Sequence, residues 1–319
     1  MKNERKMIAY GPVPSRRLGQ SLGINNIPPK ICTYSCIYCQ IGRTLNMVVK
    51  RQVFYKPKEI SEDVKNKVKE AKNKKEPIDY LAFVPDGEPT LDVNLGKEIE
   101  MLRSLGIKIA VITNASLLWI EDVRSTLCRA DWVSLKIDAL NQKIWRKINR
   151  PYGSLRFSEI LKGISEFSRI FNGDLVTETM LIKDVNDDVI ELENIADFIA
   201  GLNSKKSYVS IPIRPPAEKW VKPADEYKIN LAYQIFKEKG IDVEYLIGYE
   251  GNAFAYTGNV EEDLLSITSV HPMRKDGLSN FLSKANASWT VIEKLISEDK
   301  LVEVEYGDKK FYMRKFQTS

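Results

Sequence analysis

Between residues 79 and 247, short apolar runs alternate with amphipathic stretches, and this alternation constrains the fold more than any other feature of the chain. The runs lie at 79–84, 108–114, 132–138, 175–182, 208–213 and 243–247, with a shorter one at 22–26. Between them, helices are expected at about 96–105, 117–128, 154–170, 188–201 and 225–239, with Gly106 placed as a helix C-terminal cap. A further helix is expected over 59–75, where Ile60, Val64, Val68 and Ala71 form one stripe and lysines fill the opposite face. Strands that are apolar along their length are buried on both faces, so the repeat predicts a parallel sheet wrapped by helices. The expected class is α/β: a partial (β/α)6 TIM-like barrel over residues 1–258. In such a sheet, polar groups at the carboxyl ends of strands converge on one active face. Glu88, Asn114, Lys136, Asp138, Glu178 and Arg214 lie in or just after the runs.

After about residue 260 the pattern changes. Helices are expected near 261–269 and 277–286, with Ser288 as the N-cap of another over 289–298. A hairpin over 301–306 and 309–315 turns at Gly307-Asp308. This order predicts a small winged-helix-like C-terminal domain over 259–319. From Pro272 onward nine Lys/Arg face seven Asp/Glu, a net of +2. That is a weak basic face for reading nucleic acid, so domain docking and nucleic-acid binding both stay open.

The chain has 319 residues, 43% of them hydrophobic, which is ample for a large core. Its net charge of +5 is well short of a nucleic-acid coat protein. No run approaches the roughly 18 apolar residues of a membrane helix. The start, Met1 to Lys6, leads into no secretory signal. A cytoplasmic protein is expected.

Three of the four cysteines, Cys32, Cys36 and Cys39, fall within eight positions with the spacing C-x3-C-x2-C. Loops this short bring three sulfurs round one small centre, and thiolates are soft ligands for an iron–sulfur cluster, zinc or copper. A structural zinc site closes with four protein ligands. Here the fourth is missing locally, because Cys128 and the only histidine, His271, are distant in sequence. The spacing therefore points to a three-cysteine centre with one metal corner open to a small molecule, in a reducing compartment. Cys128 reads as a small buried hydrophobe late in a helix, and His271 as a contact at the junction with the tail.

With Tyr38 just before the third cysteine and Gly87-Glu88-Pro89 after a strand, the sequence resembles the radical S-adenosylmethionine enzymes. The resemblance implies that Cys32, Cys36 and Cys39 bind a [4Fe–4S] cluster whose open iron chelates the amino and carboxylate groups of S-adenosylmethionine. One electron then cleaves the cofactor, and the 5′-deoxyadenosyl radical abstracts a hydrogen atom from a substrate. In that family a Gly-Gly-Glu-Pro turn binds the methionine amino group. Here its first glycine is Asp86, which leaves the Glu88 carboxylate and exposed backbone carbonyls as acceptors. Asn114, Ser134 and Lys136 occupy strand ends where relatives contact the ribose or carboxylate of the cofactor. Lys136 and Asp138 share a strand face and form either an internal ion pair or a cofactor contact. Glu178 reads as a ribose or substrate ligand or as a structural carboxylate. Arg16, Arg17, Arg150 and Arg214 read as substrate anion ligands or as salt-bridge partners.

Residues 11–19, 38–44, 148–151 and 214–216 resemble one subgroup, that of the wyosine-synthesising tRNA enzymes, over about residues 8–250. The wyosine enzyme carries a second cluster on upstream cysteines, and here none precedes Cys32. The resemblance thus implies a relative with one cluster and another substrate: a tRNA base first, otherwise a peptide or small metabolite. Electrons are expected from reduced flavodoxin or ferredoxin. A reading from another class is a cluster- or zinc-containing redox sensor that binds nucleic acid without turnover.

Overall fold

The computed structural model describes residues 8–248 and 252–315. Met1 to Lys6, read above as carrying no secretory signal, lie outside the described residues. In chain order, β1 (Ala9–Ser15) and β2 (Gly19–Ile24) form an antiparallel hairpin. β3 (Ile31–Cys32) and β4 (Asn46–Met47) then pair in parallel around the cysteine loop. Next come α1 (Pro57–Asn73), β5 (Tyr80–Phe83), α2 (Leu95–Leu102), β6 (Lys108–Thr113), α3 (Glu121–Leu127) and β7 (Trp132–Lys136). They are followed by α4 (Gln142–Asn149), α5 (Phe157–Ile170), β8 (Asp174–Met180), α6 (Val189–Ala200), β9 (Lys206–Ser210), α7 (Glu226–Glu238) and β10 (Val243–Leu246). The main sheet has the order β1-β2-β5-β6-β7-β8-β9-β10 and is parallel from β2 onward. Its two edges, β1 and β10, are not joined. The expected α/β class with a partial, open parallel sheet is what forms.

The two faces of the sheet differ in chemistry. Outward residues such as Leu81, Phe83, Val111, Val133, Leu135 and Val209 are fully buried under the helices. The α1 stripe of Ile60, Val64, Val68 and Ala71 is buried as expected. Ile60 and Val64, both at 0% exposure, each contribute roughly 1.5–3 kcal/mol of burial. The inward face begins with a plug of Leu18, Ala82, Ala110, Trp132, Val176, Tyr208 and Leu246. One strand pitch further on, the same face turns polar at Ser134, Lys136, Glu178 and Ser210. This polar tier is the floor of the site.

Several boundaries depart from the sequence expectation. The segment before β2 pairs as β1, although Gly11-Pro12 and Pro14 argue against a regular strand; the pairing tolerates them because β1 is an edge and its register shifts between Tyr10 and Val13. α4 was not foreseen because its apolar stripe is only Ile144, Trp145 and Ile148. It is started by Asn141, whose Oδ1 accepts from the Lys143 amide at 2.8 Å. α2 stops at Leu102, and a 3-10 turn carries the chain to Gly106, the expected cap, at φ 66°. The last expected helix begins one residue late, so Ser288 is not its N-cap; its hydroxyl bonds the Thr290 hydroxyl instead.

The C-terminal elements are α8 (Val260–Val270), β11 (Met273–Arg274), α9 (Lys275–Lys284), α10 (Thr290–Ser297), β12 (Leu301–Tyr306) and β13 (Lys309–Arg314). The expected hairpin of β12 and β13 is joined by β11 into an antiparallel sheet of order β11-β13-β12. Phe254, Leu264, Ile267, Phe281 and Tyr312 share one core with Tyr10 and Val13 of β1. The Ala255 amide also donates to Pro12 O at 3.0 Å. The edge of the main sheet is thereby covered, which removes a template for unwanted strand pairing. Lys67 on α1 holds this cover through Asp263 at 2.7 Å and Thr257 at 2.6 Å. Among the described residues no helix is long and apolar enough to cross a membrane.

Candidate active site

The cysteine loop is laced to the sheet by backbone bonds on two sides. On one, Lys30 N donates to Asp86 O at 2.6 Å and Glu88 N to Ile31 O at 3.2 Å, so Ile31 and Gly87 bridge like parallel strands. The approach is close enough that a Cβ on Gly87 would lie 1.8 Å from Ile31 O. On the other, the Ser35 and Ile37 amides donate to Asn149 O and Ile148 O at 3.0 and 2.9 Å, and Tyr152 N donates to Thr33 O at 2.9 Å. Both the Gly-Glu-Pro turn and the 148–151 segment therefore act first as clamps on the loop.

The three cysteines border one cavity of about 160 Å³, together with Lys30, Tyr34, Gln40, Arg43, Asp86 and Gly87. Burial pushes the Cys32 thiol up to about 12, with Glu88 adding to the effect, and burial raises Cys36 and Cys39 as well. A bound cation is needed to hold such sulfurs as thiolates. Two asparagine amides reach them: Asn114 Nδ2 lies 3.5 Å from Cys32 Sγ, and Asn149 Nδ2 lies 3.4 Å from Cys36 Sγ. Among the described residues no three His, Cys, Asp or Glu side chains are grouped to hold a metal ion. The thiols surround a volume instead.

Glu88 is 1% exposed. Its Oε1 accepts from Thr90 N and from the Thr90 and Thr113 hydroxyls, the last two at 2.6 Å, and its Oε2 accepts from Asn114 N at 2.8 Å. Three of these donors meet Oε1 and one meets Oε2, so the scaffold holds this carboxylate from both sides. Burial pushes Glu88 up, and the Thr113, Thr90 and Asn114 donors pull against it. The Glu88 carboxylate, expected to accept from a ligand ammonium, thus meets scaffold donors at both of its oxygens. Its neighbour Asp86 is also buried, yet Asp86 Oδ1 has no hydrogen-bond partner.

Register explains the polar tier. Lys136 and Glu178 are partners across β7 and β8, and they form an ion pair that Arg17 completes from the hairpin side. Burial alone would raise Glu178, but Lys136 and then Arg17 bring it down to about 2. Lys136 also lies 5.7 Å from the centre of the Tyr38 ring. The expected Lys136–Asp138 pair does not form, because β7 ends at Lys136 and Asp138 turns toward the loop. There it accepts from Tyr38 Oη and from Asn149 Nδ2 at 2.9 Å. Ser134 is fully buried with an unpartnered hydroxyl.

The radical SAM superfamily model matches residues 26–199, more than half of the chain, from before β3 into α6. The chain belongs to the radical SAM superfamily. The UPF0026 protein MJ1312 of Methanocaldococcus jannaschii is 48% identical to it over 313 residues, covering 98% of this chain and 97% of that one. A radical SAM methyltransferase from Sphaerobacter thermophilus shares the fold, with a TM-score of 0.54 and 18% identity over 71% of this chain and 66% of the other. A structure of TYW1 with a lysine-pyruvate adduct is a further neighbour, with a TM-score of 0.48 and 16% identity over 68% of this chain and 73% of that one.

As a radical SAM protein the chain is an enzyme whose cofactors are a [4Fe–4S] cluster and S-adenosylmethionine. Its residues fit both. Three thiols border one cavity, soft ligands of the kind that hold an iron–sulfur cluster, and two amides are aimed at two of the sulfurs. The unpartnered polar atoms of Ser134 and Asp86 are the kind of group that a polar cofactor satisfies.

The remaining candidates sort by their partners. Arg17 pairs with Glu178, and Arg150 joins Arg43 on Glu218, whose own amide caps Ile37 O at 3.0 Å. Arg214 donates to Gln40 Oε1 at 2.7 Å and contacts a ring nitrogen of His271 at 2.9 Å. Burial, then Arg214, holds His271 well below its ordinary value, so the ring is neutral. It is the junction contact expected. Cys128 is not buried as expected: it caps the end of α3 at the surface, away from the cavity. Sequence reasoning missed Asn149, although the segment Ile148-Asn149-Arg150-Pro151 was singled out. It also missed Glu218, which no motif marks.

Proposed function

We propose that this radical SAM enzyme works with one [4Fe–4S] cluster, held by Cys32, Cys36 and Cys39, and activates a substrate C–H bond. The observation that carries the reading is the cavity framed by three thiols, two of them already met by asparagine amides. When bound, the cluster and S-adenosylmethionine supply one-electron cleavage of the C5′–S bond and a 5′-deoxyadenosyl radical that takes a hydrogen atom.

In this reading the chain's own residues orient and enclose. Gly87 and Pro89 shape the turn beside the cofactor, while Glu88 fixes that turn and Asn114 behind it. Asn114, Ser134 and Lys136 serve the ribose and carboxylate, and Tyr38 closes the floor between Lys136 and Asp138. The only other cysteine, Cys128, is exposed on α3, which supports a single cluster. Electrons come from a reduced flavodoxin or ferredoxin in the cytoplasm.

Residues 1–258 form the catalytic unit in this proposal, and 259–319 a winged-helix-like one. The hairpin of the second unit carries Arg314, whose charge acts on Asp86 of the turn. A tRNA base is the proposed substrate, supported by the resemblance to the wyosine-synthesising group. Anaerobically reconstituted protein, given dithionite, should convert S-adenosylmethionine to 5′-deoxyadenosine; no conversion with full iron loading would sink the proposal. Mass spectrometry of tRNA nucleosides from a strain lacking the gene then tests the substrate. An unchanged nucleoside profile with altered peptides or metabolites would reject tRNA.

A further inference from the structure

We propose that the Asp86 carboxylate accepts the α-ammonium group of S-adenosylmethionine, at a position where resembling enzymes carry glycine. This deepens the proposed function and rests on it. An ammonium group offers three donors and needs acceptors around it. The obvious acid in the turn, Glu88, is occupied by Thr90, Thr113 and the Asn114 amide. Asp86 O already receives the Lys30 amide at 2.6 Å. Of the two acids in the turn, Asp86 is the one whose side chain keeps an unpartnered buried oxygen.

That side chain is 3% exposed and borders the same cavity as the three cysteines. Oδ1 is buried with no hydrogen-bond partner, a costly state for a carboxylate unless something else arrives to fill it. A ligand cation placed in the cavity meets that open oxygen and favours the ionised form of the carboxyl. The same contact accounts for the departure from the family pattern: a glycine there leaves acceptor duty to the backbone, whereas here a side-chain acceptor is built in.

The test is calorimetric binding to anaerobically reconstituted enzyme, using S-adenosylmethionine and its desamino analogue. Wild type is compared with Asp86→Asn and with Asp86→Gly, the latter restoring the family residue. Iron content and the spectrum of the reduced cluster without cofactor serve as controls. The expected result is about 10- to 100-fold weaker binding of S-adenosylmethionine by both variants, with binding of the desamino analogue changed less than threefold. Equal losses for the two ligands, or no loss, overturn the assignment. So does failure of both variants to load iron, which makes Asp86 structural. If wild type itself loads iron but binds no S-adenosylmethionine, the proposed function fails, which is a different outcome from wild-type binding that the variants share.

Discussion

Asn149 Nδ2 lies 3.4 Å from Cys36 Sγ and donates to Asp138 Oδ2 at 2.9 Å, so one buried amide joins the second cysteine of the loop to a buried acid. Asp138 in turn accepts from Tyr38 Oη and from the Met180 amide at 3.0 Å. The aromatic before the third cysteine and the end of β8 are therefore connected to the second cysteine through two side chains. Such hydrogen bonds to cluster sulfurs tune reduction potential.

The first prediction concerns that bond. If it is about 1 kcal/mol stronger in the reduced state, Asn149→Leu lowers the cluster midpoint by about 40 mV, since about 59 mV is tenfold for one electron. An EPR-monitored redox titration measures the shift. An unchanged midpoint in a fully loaded variant would show that the amide does not act on the cluster.

Gly87 carries the second. A methyl group there must displace Ile31 O, which is backbone and cannot swing aside. Gly87→Ala should cost about 1–3 kcal/mol and loosen the cysteine loop, with iron per chain falling below wild type after reconstitution. Gly153→Ala, where an added Cβ meets nothing within 4 Å, is the matched control and should load normally.

The third uses acid. Glu178 has its carboxyl lowered from 4.5 to about 2, so its ion pairs stabilise the fold fully above about 4.5 and lose that effect as pH falls toward 2. The shift corresponds to about 3 kcal/mol. Urea melts of wild type and Glu178→Gln across this window should differ most at its upper end and converge at its lower end. A constant difference would show that folding does not lower the Glu178 carboxyl.

The fourth separates the cysteines. Cys32→Ala, Cys36→Ala and Cys39→Ala should each lose most of the iron, whereas Cys128→Ser should keep all of it. Iron loss in the Cys128 variant would mean that a second centre exists.

The sheet was legible because its strands are apolar on both faces and its helices carry clear stripes, a signal that survives without any knowledge of contacts. β1 and α4 were not, since Gly11-Pro12 disguises an edge strand and three apolar residues are too few to announce a helix. The cysteine spacing and the Gly-Glu-Pro turn marked the site, yet their division of labour was hidden. Glu88 reads as a ligand residue in the sequence, while its scaffold partners Thr90 and Thr113 are recognisable only once β6 lies beside the turn. Strand periodicity puts Lys136 and Asp138 on one face and leaves an ion pair or a cofactor contact open, but the strand ends between them and parallel register gives Lys136 to Glu178 instead. Asn149 lay inside a conspicuous segment, and only the fold brings it to a sulfur 113 residues away.

The hydrogen-bonded file from Gln40 through Arg214 to His271 gives the molecule its own reporter. With one histidine in 319 residues, imidazole resonances in an NMR spectrum come from a single ring and need no assignment. That ring stands between the residue after Cys39 and the helix that leads into the C-terminal sheet, edge-on to Phe254 at 5.1 Å between ring centres. While the C-terminal elements stay seated, burial keeps it neutral; once they lift away, it should titrate near its ordinary value. One chemical shift followed against pH thus reads whether both halves of the molecule are in register, in unmodified protein and without an engineered label.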